Sequence, residues 1–220
     1  MDKREIVKML EYSALSYKDV QPKQKNEILT VIDDKETDIQ CYIRKSGNRL
    51  LITFRGSDSL KDWAADFKFW KKTIPYDNKK SKIQVHSGFL GTYKSKNVRG
   101  KIHSLATKDI EKIQITGHSY GAALATLCAL DLEYNFPEKD YEVILFGSPR
   151  VGNGAFKKSY DKRVFKTLRV ENKMDIVTKI PFMFLGYRHV GTKISVGNFL
   201  NIFSKGNHHL QKYYRNFFKF

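Results

Sequence analysis

Apolar positions near the start of the chain recur at the spacing of an amphipathic helix, over residues 4–17. Five apolar residues share one face of this predicted helix: Ile6, Met9, Leu10, Ala14 and Tyr17. Alternation of apolar and polar positions then predicts strands at 27–33, 38–45 and 49–54. Because a turn at 46–48 separates the last two strands, we expect an antiparallel hairpin at the start of the sheet.

Farther along the chain, predicted helices and strands alternate. The helices fall at 89–107, 120–133 and 153–160, and the strands at 112–116, 142–146 and 164–170. Strands separated by helices pair in parallel through right-handed crossovers, which place helices on both faces of the sheet. The predicted fold class is therefore α/β, with a mostly parallel central sheet and an antiparallel N-terminal hairpin. No repeat or linker interrupts the pattern, so we expect one domain over residues 1–220.

Composition adds a charge to this picture. A hydrophobic fraction of 41% over 220 residues is enough for a buried core and excludes a disordered chain. Lys and Arg number 40 against 23 Asp and Glu, and the resulting net charge of +17 favours anionic partners such as acidic lipid surfaces. The lysines are spread along the chain without a nucleic-acid-binding motif, so we expect no specific nucleic-acid partner.

Two further features concern the cellular compartment. Cys41 and Cys128 are too few for a disulfide framework and are interpreted as buried thiols in a reducing compartment. The N-terminus shows no signal-peptide pattern, and the longest apolar run, at 180–186, is far shorter than the ~20 residues of a membrane span. A cytoplasmic or peripheral membrane protein is expected.

The residues that carry chemistry form a G-x-S-x-G motif at 117–121. The motif follows an apolar strand and begins a helix, which is the setting of a nucleophile elbow. Glycines at 117 and 121 let strand and helix approach closely around Ser119, the candidate nucleophile. The backbone N–H of Tyr120 then points from the helix N-terminus towards a developing oxyanion. The alternative is a glycine-flanked turn before an ordinary helix.

A nucleophilic serine needs a carboxylate and a histidine, which follow it in that order in α/β hydrolases. Four aspartates lie downstream of the motif: Asp131, Asp140, Asp161 and Asp175. Asp175 follows the strand at 164–170 by a short loop, so it is expected at the same sheet edge as Ser119. The other three are interpreted as surface acids.

Three histidines follow Asp175. His189 lies at a predicted strand start and is interpreted as a structural hydrogen-bonding residue. His208 and His209 precede a predicted C-terminal helix, where a base could reach the elbow. His208 is preferred, with His209 left open.

With these motifs, the chain resembles the class 3 lipase family, the fungal-lipase-like branch of the α/β-hydrolase fold. The resemblance rests on blocks that occur in the expected order: Leu51-Ile52-Thr53-Phe54-Arg55-Gly56-Ser57, Asp62-Trp63-Ala64-Ala65-Asp66, Val85-His86-Ser87-Gly88-Phe89, the elbow, Phe146-Gly147-Ser148-Pro149-Arg150-Val151-Gly152-Asn153, Arg169-Val170-Glu171-Asn172 and His189-Val190-Gly191. The family's last histidine precedes a helix with a leucine and a tyrosine close behind, and residues 208–213 fit this pattern.

This resemblance implies a function and roles for site residues. It implies a serine hydrolase that cleaves lipid carboxylic esters, an acylglycerol lipase, with phospholipase A or a non-catalytic lipase-like scaffold as alternatives. Ser119 is similar to the family's nucleophile and Asp175 to its orienting acid. Ser57 and the Tyr120 N–H resemble its oxyanion hole. No metal or organic cofactor is implied.

The chain also departs from the family pattern. Tyr120 and Ala122 replace the usual Leu and Gly of the elbow, which brings a bulky ring beside the nucleophile. Family members from fungi are usually secreted, whereas this chain begins almost at its first helix, which favours an intracellular or viral enzyme.

Two apolar segments suggest contact with lipid. The segment 58–70 carries an apolar stripe at helical spacing, Leu60, Trp63, Phe67 and Trp70, and in this family such a segment can form a lid. A fixed helix packed on the core is the alternative. Aromatic and basic residues at 213–220, together with the apolar run 182–185, are expected to form the lip of a lipid site, unless the rings simply pack on the core.

Overall fold

A seven-stranded sheet lies at the centre of the structure, a computed structural model that describes residues 2–57, 69–75, 78, 80–197 and 208–218. The strands of the chain are β1 (Ile28–Asp34), β2 (Ile39–Ser46), β3 (Arg49–Phe54), β4 (Lys71–Thr73), β5 (Gln84–His86), β6 (Lys112–His118), β7 (Asp140–Phe146), β8 (Gly152–Asn153), β9 (Thr167–Asn172), β10 (Tyr187–Arg188) and β11 (Thr192–Val196). The large sheet has the order β1-β2-β3-β6-β7-β9-β11. Its first three strands are antiparallel and the others are parallel, which confirms the predicted hairpin and mixed sheet.

Helices cover both faces of this sheet. They are α1 (Lys3–Leu15), α2 (Ser87–Tyr93), a π-helical turn (Lys96–Gly100), α3 (Lys101–Leu105), α4 (Tyr120–Asn135), α5 (Gly154–Arg163) and α6 (Leu210–Phe218). Strand β7 shows how the faces divide: Val143 and Leu145 pack with the α4 side, whereas Ile144 and Phe146 pack with α1 and α6. This alternation is the period-2 pattern of a strand buried on both faces.

One predicted helix is wrong in the structure. The pattern predicts a single helix at 89–107, but the chain leaves α2 after Tyr93 and has an extended backbone at Ser95. The Ser95 hydroxyl donates to the Asp34 carboxylate at 2.7 Å, and the Asn97 amide donates to the same group at 3.3 Å. These bonds to a distant strand compete with continuous helix, which local periodicity does not reveal.

A second, smaller sheet was not predicted at all. It has the order β10-β8-β5-β4 and joins four short segments from distant parts of the chain. The predicted lid begins outside the described residues, since nothing is described at 58–68, and it stays a prediction. Trp70, the last residue of its stripe, lies outside any helix and is 71% exposed, directly before β4.

The structure also bears on three smaller predictions. Cys41 and Cys128 are buried free thiols, as predicted. Across the described ranges, no helix combines the length and apolar character that a membrane span requires. In the predicted lip, α6 packs with α1 on one face of the sheet, and the 182–185 run adjoins β10 and residues 69–71. The lip itself stays a prediction.

Candidate active site

Ser119 occupies a sharp turn between β6, which ends at His118, and α4, which begins at Tyr120. Its backbone has φ 58° and ψ −125°, a conformation that costs energy for a residue with a side chain. A Cβ atom on Gly117 would lie 2.6 Å from the carbonyl carbon of Gly121, and one on Gly121 would lie 2.4 Å from the Phe54 oxygen. Only glycine fits at both positions, so the local sequence produces the geometry of a nucleophile elbow.

Asp175 lies in the loop after β9 and is fully buried. One carboxylate oxygen, Oδ2, accepts hydrogen bonds from His208 Nδ1 at 2.6 Å and from the Tyr213 hydroxyl at 2.5 Å. The other, Oδ1, accepts from the Val177 N–H at 2.9 Å. Each bond satisfies a lone pair that burial has removed from water, so the carboxylate is held in one orientation.

His208 stands just before α6 and completes an Asp–His pair. Because a carboxylate accepts hydrogen bonds, Nδ1 of His208 carries the hydrogen and Nε2 remains as a lone-pair acceptor. A glycine also permits this close approach: a Cβ on Gly147 would lie 2.9 Å from Asp175 Oδ2 and 3.0 Å from His208 Cε1. The neighbouring His209 is exposed. Of these two histidines, His208 is the one that hydrogen-bonds to the Asp175 carboxylate.

Two buried polar atoms at this site have no hydrogen-bond partner among the described residues: Ser119 Oγ and His208 Nε2. A buried unpaired polar group costs about 1–3 kcal/mol, so each one in a native structure calls for an explanation, and a catalytic role is one such explanation. The Ser119 N–H donates to the Phe146 oxygen at 3.0 Å, and the next residue, Gly147, adjoins His208. The elbow and the free imidazole nitrogen thus occupy one small region, although serine and histidine do not hydrogen-bond here. Such bonds are often long until substrate binds.

His118 packs on the Asp–His pair, and sequence reasoning missed it. Its ring lies 4.4 Å from that of His208, between centroids, and its Nε2 is 2.8 Å from the His208 backbone oxygen. A carbonyl only accepts, so Nε2 donates, and Nδ1 accepts from the Tyr17 hydroxyl at 2.8 Å. Burial lowers the pKa of His118 well below 6.5, which favours the neutral form. The sequence signal that could have pointed to His118 is its position between Gly117 and Ser119, the first variable position of the G-x-S-x-G motif.

The oxyanion-hole candidates lie at the same edge of the sheet. Tyr120 is the first residue of α4, so its N–H is at the positive end of the helix dipole. Ser57 comes three residues after β3, and the close approach of Gly121 to the Phe54 oxygen fixes the end of that strand against the elbow. The Tyr120 ring packs on α2, with its centroid 5.3 Å from that of Phe89 and its hydroxyl 2.7 Å from Thr92 Oγ1.

The remaining candidates lie elsewhere. His189 Nε2 bonds the Thr178 oxygen at 2.8 Å, and burial, with Arg169 nearby, lowers its pKa to about 2, which fits a structural role. Asp140 pairs with Lys166, and Asp161 pairs with Lys157. Asp131 is no free surface acid, because Arg99 and His103 bind it. Within the described part of the chain, no group of three or more His, Cys, Asp or Glu side chains could hold a metal ion.

Comparison with known proteins identifies the family of the chain. Residues 51–185 match the family model for lipase (class 3). The chain is 34% identical over 183 residues to phospholipase A(1) DAD1, a chloroplastic protein of Arabidopsis thaliana, covering 73% of this chain and 39% of that protein. It is also 34% identical over 152 residues to a lipase of Rhizomucor miehei, covering 66% of this chain and 41% of the relative.

A solved structure extends the similarity beyond the matched sequence. It is a triacylglycerol lipase whose catalytic centre is described as a serine protease triad, and it superposes with a TM-score of 0.74 at 26% identity. The match covers 89% of this chain and 80% of that one. The fold defined by this sheet and elbow is that of an α/β hydrolase. The chain belongs to the class 3 lipase family, and it spans about two fifths of the length of the curated relatives named above.

Proposed function

We propose that the protein hydrolyses carboxylic esters of lipids through an acyl-enzyme, as an acylglycerol lipase. The observation that carries this proposal is the pair of unpartnered buried atoms, Ser119 Oγ and His208 Nε2, beside an Asp175–His208 hydrogen bond of 2.6 Å. Serine is a weak nucleophile unless a base takes its proton, and here the only ring nitrogen of His208 with a free lone pair is Nε2.

In the first half of the reaction, Ser119 Oγ bonds to the ester carbonyl carbon while its proton moves to His208 Nε2. The buried carboxylate of Asp175 stabilises the resulting imidazolium, because the positive charge forms next to a fixed negative one. Negative charge develops on the carbonyl oxygen, towards which the Tyr120 N–H and Ser57 are proposed to donate. The carbon–oxygen bond to the alcohol then breaks, and the leaving alkoxide takes the proton from His208.

In the second half, water replaces the alcohol. His208 Nε2 accepts a proton from the attacking water as the water oxygen bonds to the acyl carbon, which gives a second tetrahedral intermediate. The bond from this carbon to Ser119 Oγ then breaks. The serine oxygen takes the proton back, and a fatty acid is released. The same two donors stabilise the oxyanion of this second tetrahedral intermediate.

Phospholipase A is the second candidate, for two reasons. One of the similar proteins is a phospholipase A(1), and the net charge of +17 favours anionic glycerophospholipids over neutral glycerides. Both activities use the same chemistry and differ in the pocket that receives the head group. In either case the substrate is aggregated lipid, so we infer peripheral contact with an anionic membrane or a lipid-droplet surface.

The test measures fatty-acid release from a short-chain ester, a triacylglycerol, a monoacylglycerol and a phospholipid. The wild type is compared with Ser119→Ala, His208→Ala and His209→Ala. We expect the first two variants to lose about 10⁴-fold or more in kcat, and His209→Ala to stay within about threefold of the wild type. The preferred substrate separates lipase from phospholipase.

Two results would count against the proposal. A folded wild type without activity on any of the four substrates would favour a non-catalytic scaffold. Activity that survives His208→Ala and disappears in His209→Ala would assign the base to the exposed histidine.

A further inference from the structure

A group of large apolar side chains lies on the surface near the small sheet. This aromatic patch consists of Phe69, Trp70, Phe182, Met183 and Phe184, all exposed. Trp70 is 71% exposed and Phe184 is 82% exposed. Single exposed apolar residues are ordinary, but several in contact mark a surface that another apolar phase covers.

Three rings of the patch are in contact with one another, and hydrogen bonds attach the patch to the fold. The rings of Phe182 and Phe184 stack at 5.2 Å with an interplanar angle of 9°, and the rings of Phe69 and Phe182 are 6.2 Å apart, between centroids. Hydrogen bonds join the two segments: Lys71 Nζ donates to the Leu185 oxygen at 2.6 Å, and the Tyr187 hydroxyl donates to the Phe69 oxygen at 3.1 Å. Residues from two distant parts of the chain therefore present one surface.

The two segments that form the patch carry an excess of positive charge. Residues 69–75 and 176–197 contain no Asp or Glu, although an even distribution of the chain's 23 acids would place about three there. The same two segments carry five basic residues: Lys71, Lys72, Lys179, Arg188 and Lys193. Arg188 is directly attached to the patch, since its guanidinium donates to the Met183 oxygen at 2.8 Å.

Among the described residues, two carboxylates from outside these segments, Glu171 and Asp175, act on the cations. Glu171 lies 3.7 Å from Lys179 Nζ and 4.0 Å from Lys193 Nζ, and it is buried and also paired with Arg169. It therefore cannot neutralise the whole group. Burial and the neighbouring Lys193 and Arg150 cations lower the pKa of Lys179, as expected where positive charges outnumber negative ones.

The patch is also connected to the candidate active site. The chain that leaves Asp175 forms a 3₁₀ turn at Val177–Lys179 and reaches the patch at Phe182. Arg150 holds this segment through the Lys179 oxygen and through the Pro181 oxygen at 2.9 Å. A lipid surface that covers the patch would thus lie against the segment that supplies Asp175.

We propose that the aromatic patch is a docking surface for anionic lipid bilayers. Trp70, Phe182 and Phe184 enter the boundary between head groups and acyl chains, while the surrounding lysines and Arg188 contact lipid phosphates. The inference rests on the proposed function for its purpose, since docking would bring substrate to the site. Binding itself requires no hydrolysis, so the two can fail separately.

The experiment measures cosedimentation with vesicles of ether-linked phosphatidylglycerol or ether-linked phosphatidylcholine, which contain no carboxylic ester. We expect the wild type to bind phosphatidylglycerol vesicles about tenfold or more tightly than phosphatidylcholine vesicles at low salt, with the difference decreasing as salt rises. Phe182→Ser with Phe184→Ser should weaken binding about tenfold or more. Phe165→Ser is the matched control, because Phe165 is 71% exposed and precedes β9, whereas the segment that leads to the patch leaves the other end of this strand.

A second pair of variants tests the charges. Lys72→Gln with Lys193→Gln should weaken binding to phosphatidylglycerol by about fivefold for each lysine and leave phosphatidylcholine binding unchanged. The controls are Lys108→Gln with Lys162→Gln, both exposed and outside the two segments. Circular dichroism and the unfolding midpoint establish that each variant is folded. If the double aromatic variant does not fold, Phe184→Ser alone replaces it, since that ring is the most exposed of the patch.

Three outcomes would overturn the inference. They are no binding to either vesicle, equal binding to both vesicles, or equal loss in the patch variants and in their controls. Loss of ester hydrolysis in the panel of lipid substrates with vesicle binding intact would instead contradict only the proposed function.

Discussion

Two Asp–His pairs occur in the part of the molecule that the structure describes, and they look alike at first. His208 Nδ1 lies 2.6 Å from Asp175 Oδ2, and His103 Nε2 lies 2.6 Å from Asp131 Oδ2. A tyrosine hydroxyl also donates to each carboxylate, from Tyr213 at 2.5 Å and from Tyr93 at 2.8 Å. By distance alone, either pair could be the acid and base of a hydrolase.

Their other partners distinguish them. Asp131 also accepts two bonds from Arg99, at 2.8 and 2.9 Å, and one from the Asn135 amide at 3.1 Å, so it holds α4 to the segment before α3. Asp175 is fully buried, and the outer nitrogen of its histidine is unpaired within the described structure. An Asp–His contact by itself therefore does not indicate catalysis. The feature that indicates catalysis is a histidine whose outer ring nitrogen is unpaired close to an elbow serine.

The largest expected effect comes from removing the charge of each carboxylate in turn. Asp175→Asn should lower kcat by about 10⁴-fold, because an amide can donate to His208 Nδ1 and so stabilise the wrong tautomer. Asp131→Asn should change kcat by less than about threefold, yet lower the free energy of unfolding by about 1–3 kcal/mol as Arg99 and His103 lose their anion. Ester kinetics give kcat for both variants, and urea unfolding gives their free energies of unfolding. Equal effects on kcat would contradict the distinction.

A smaller effect concerns pH and the histidine that packs on the Asp175 pair. The pKa of His118 is well below 6.5 in the folded state because of burial, whereas in the unfolded chain it returns to about 6.5. Below that pH the unfolded state binds more protons, so stability present above 6.5 is lost as pH falls. Between pH 7.5 and 5.5 this group alone should remove about 1.4 kcal/mol.

Urea unfolding at the two pH values checks this expectation, with His118→Gln as the comparison. Glutamine does not titrate, so the loss of stability between the two pH values should be about 1.4 kcal/mol smaller in the variant than in the wild type. An identical loss in both proteins would show that His118 is not held neutral by the fold.

The smallest effect comes from the two tyrosine hydroxyls. Tyr213→Phe removes a hydrogen bond to the Asp175 carboxylate and should lower kcat about fivefold and shift the acid limb of the pH–rate profile. Tyr93→Phe removes the equivalent bond to Asp131 and should leave kcat and the pH profile unchanged. Both rings are fully buried, so the losses of stability should be similar, at about 1 kcal/mol. A kcat loss of the same size in both variants would indicate a merely structural role for Tyr213.

Local patterns predicted much of the fold. The alternation in β2, β3 and β7 follows from strands whose successive side chains point to opposite faces, and the elbow follows from two glycines whose places no larger residue could take. The order of serine, aspartate and histidine along the chain left four candidate aspartates, and the place of Asp175 shortly after a predicted strand favoured it among them. The choice of His208 over His209 stays a prediction, and so do the oxyanion-hole donors.

Other features could not be found in this way, because they depend on contacts between distant residues. The break after α2 arises from Ser95 bonding to Asp34, which is 61 positions away. The small sheet joins four segments of two or three residues, too short for any periodic signal. His118 is placed by Tyr17 and by the His208 carbonyl, which lie 101 and 90 positions from it.

The sequence by itself determined the α/β class, the strand–turn–helix around Ser119 and the excess of positive charge, since each depends on residue type and near-neighbour spacing. Only the tertiary structure decided which histidine meets Asp175, which Asp–His pair is satisfied by other partners, and where Phe69 and Phe182 come together. These depend on long-range closure of the chain, in which burial and a few hydrogen bonds select among arrangements that local spacing leaves equal.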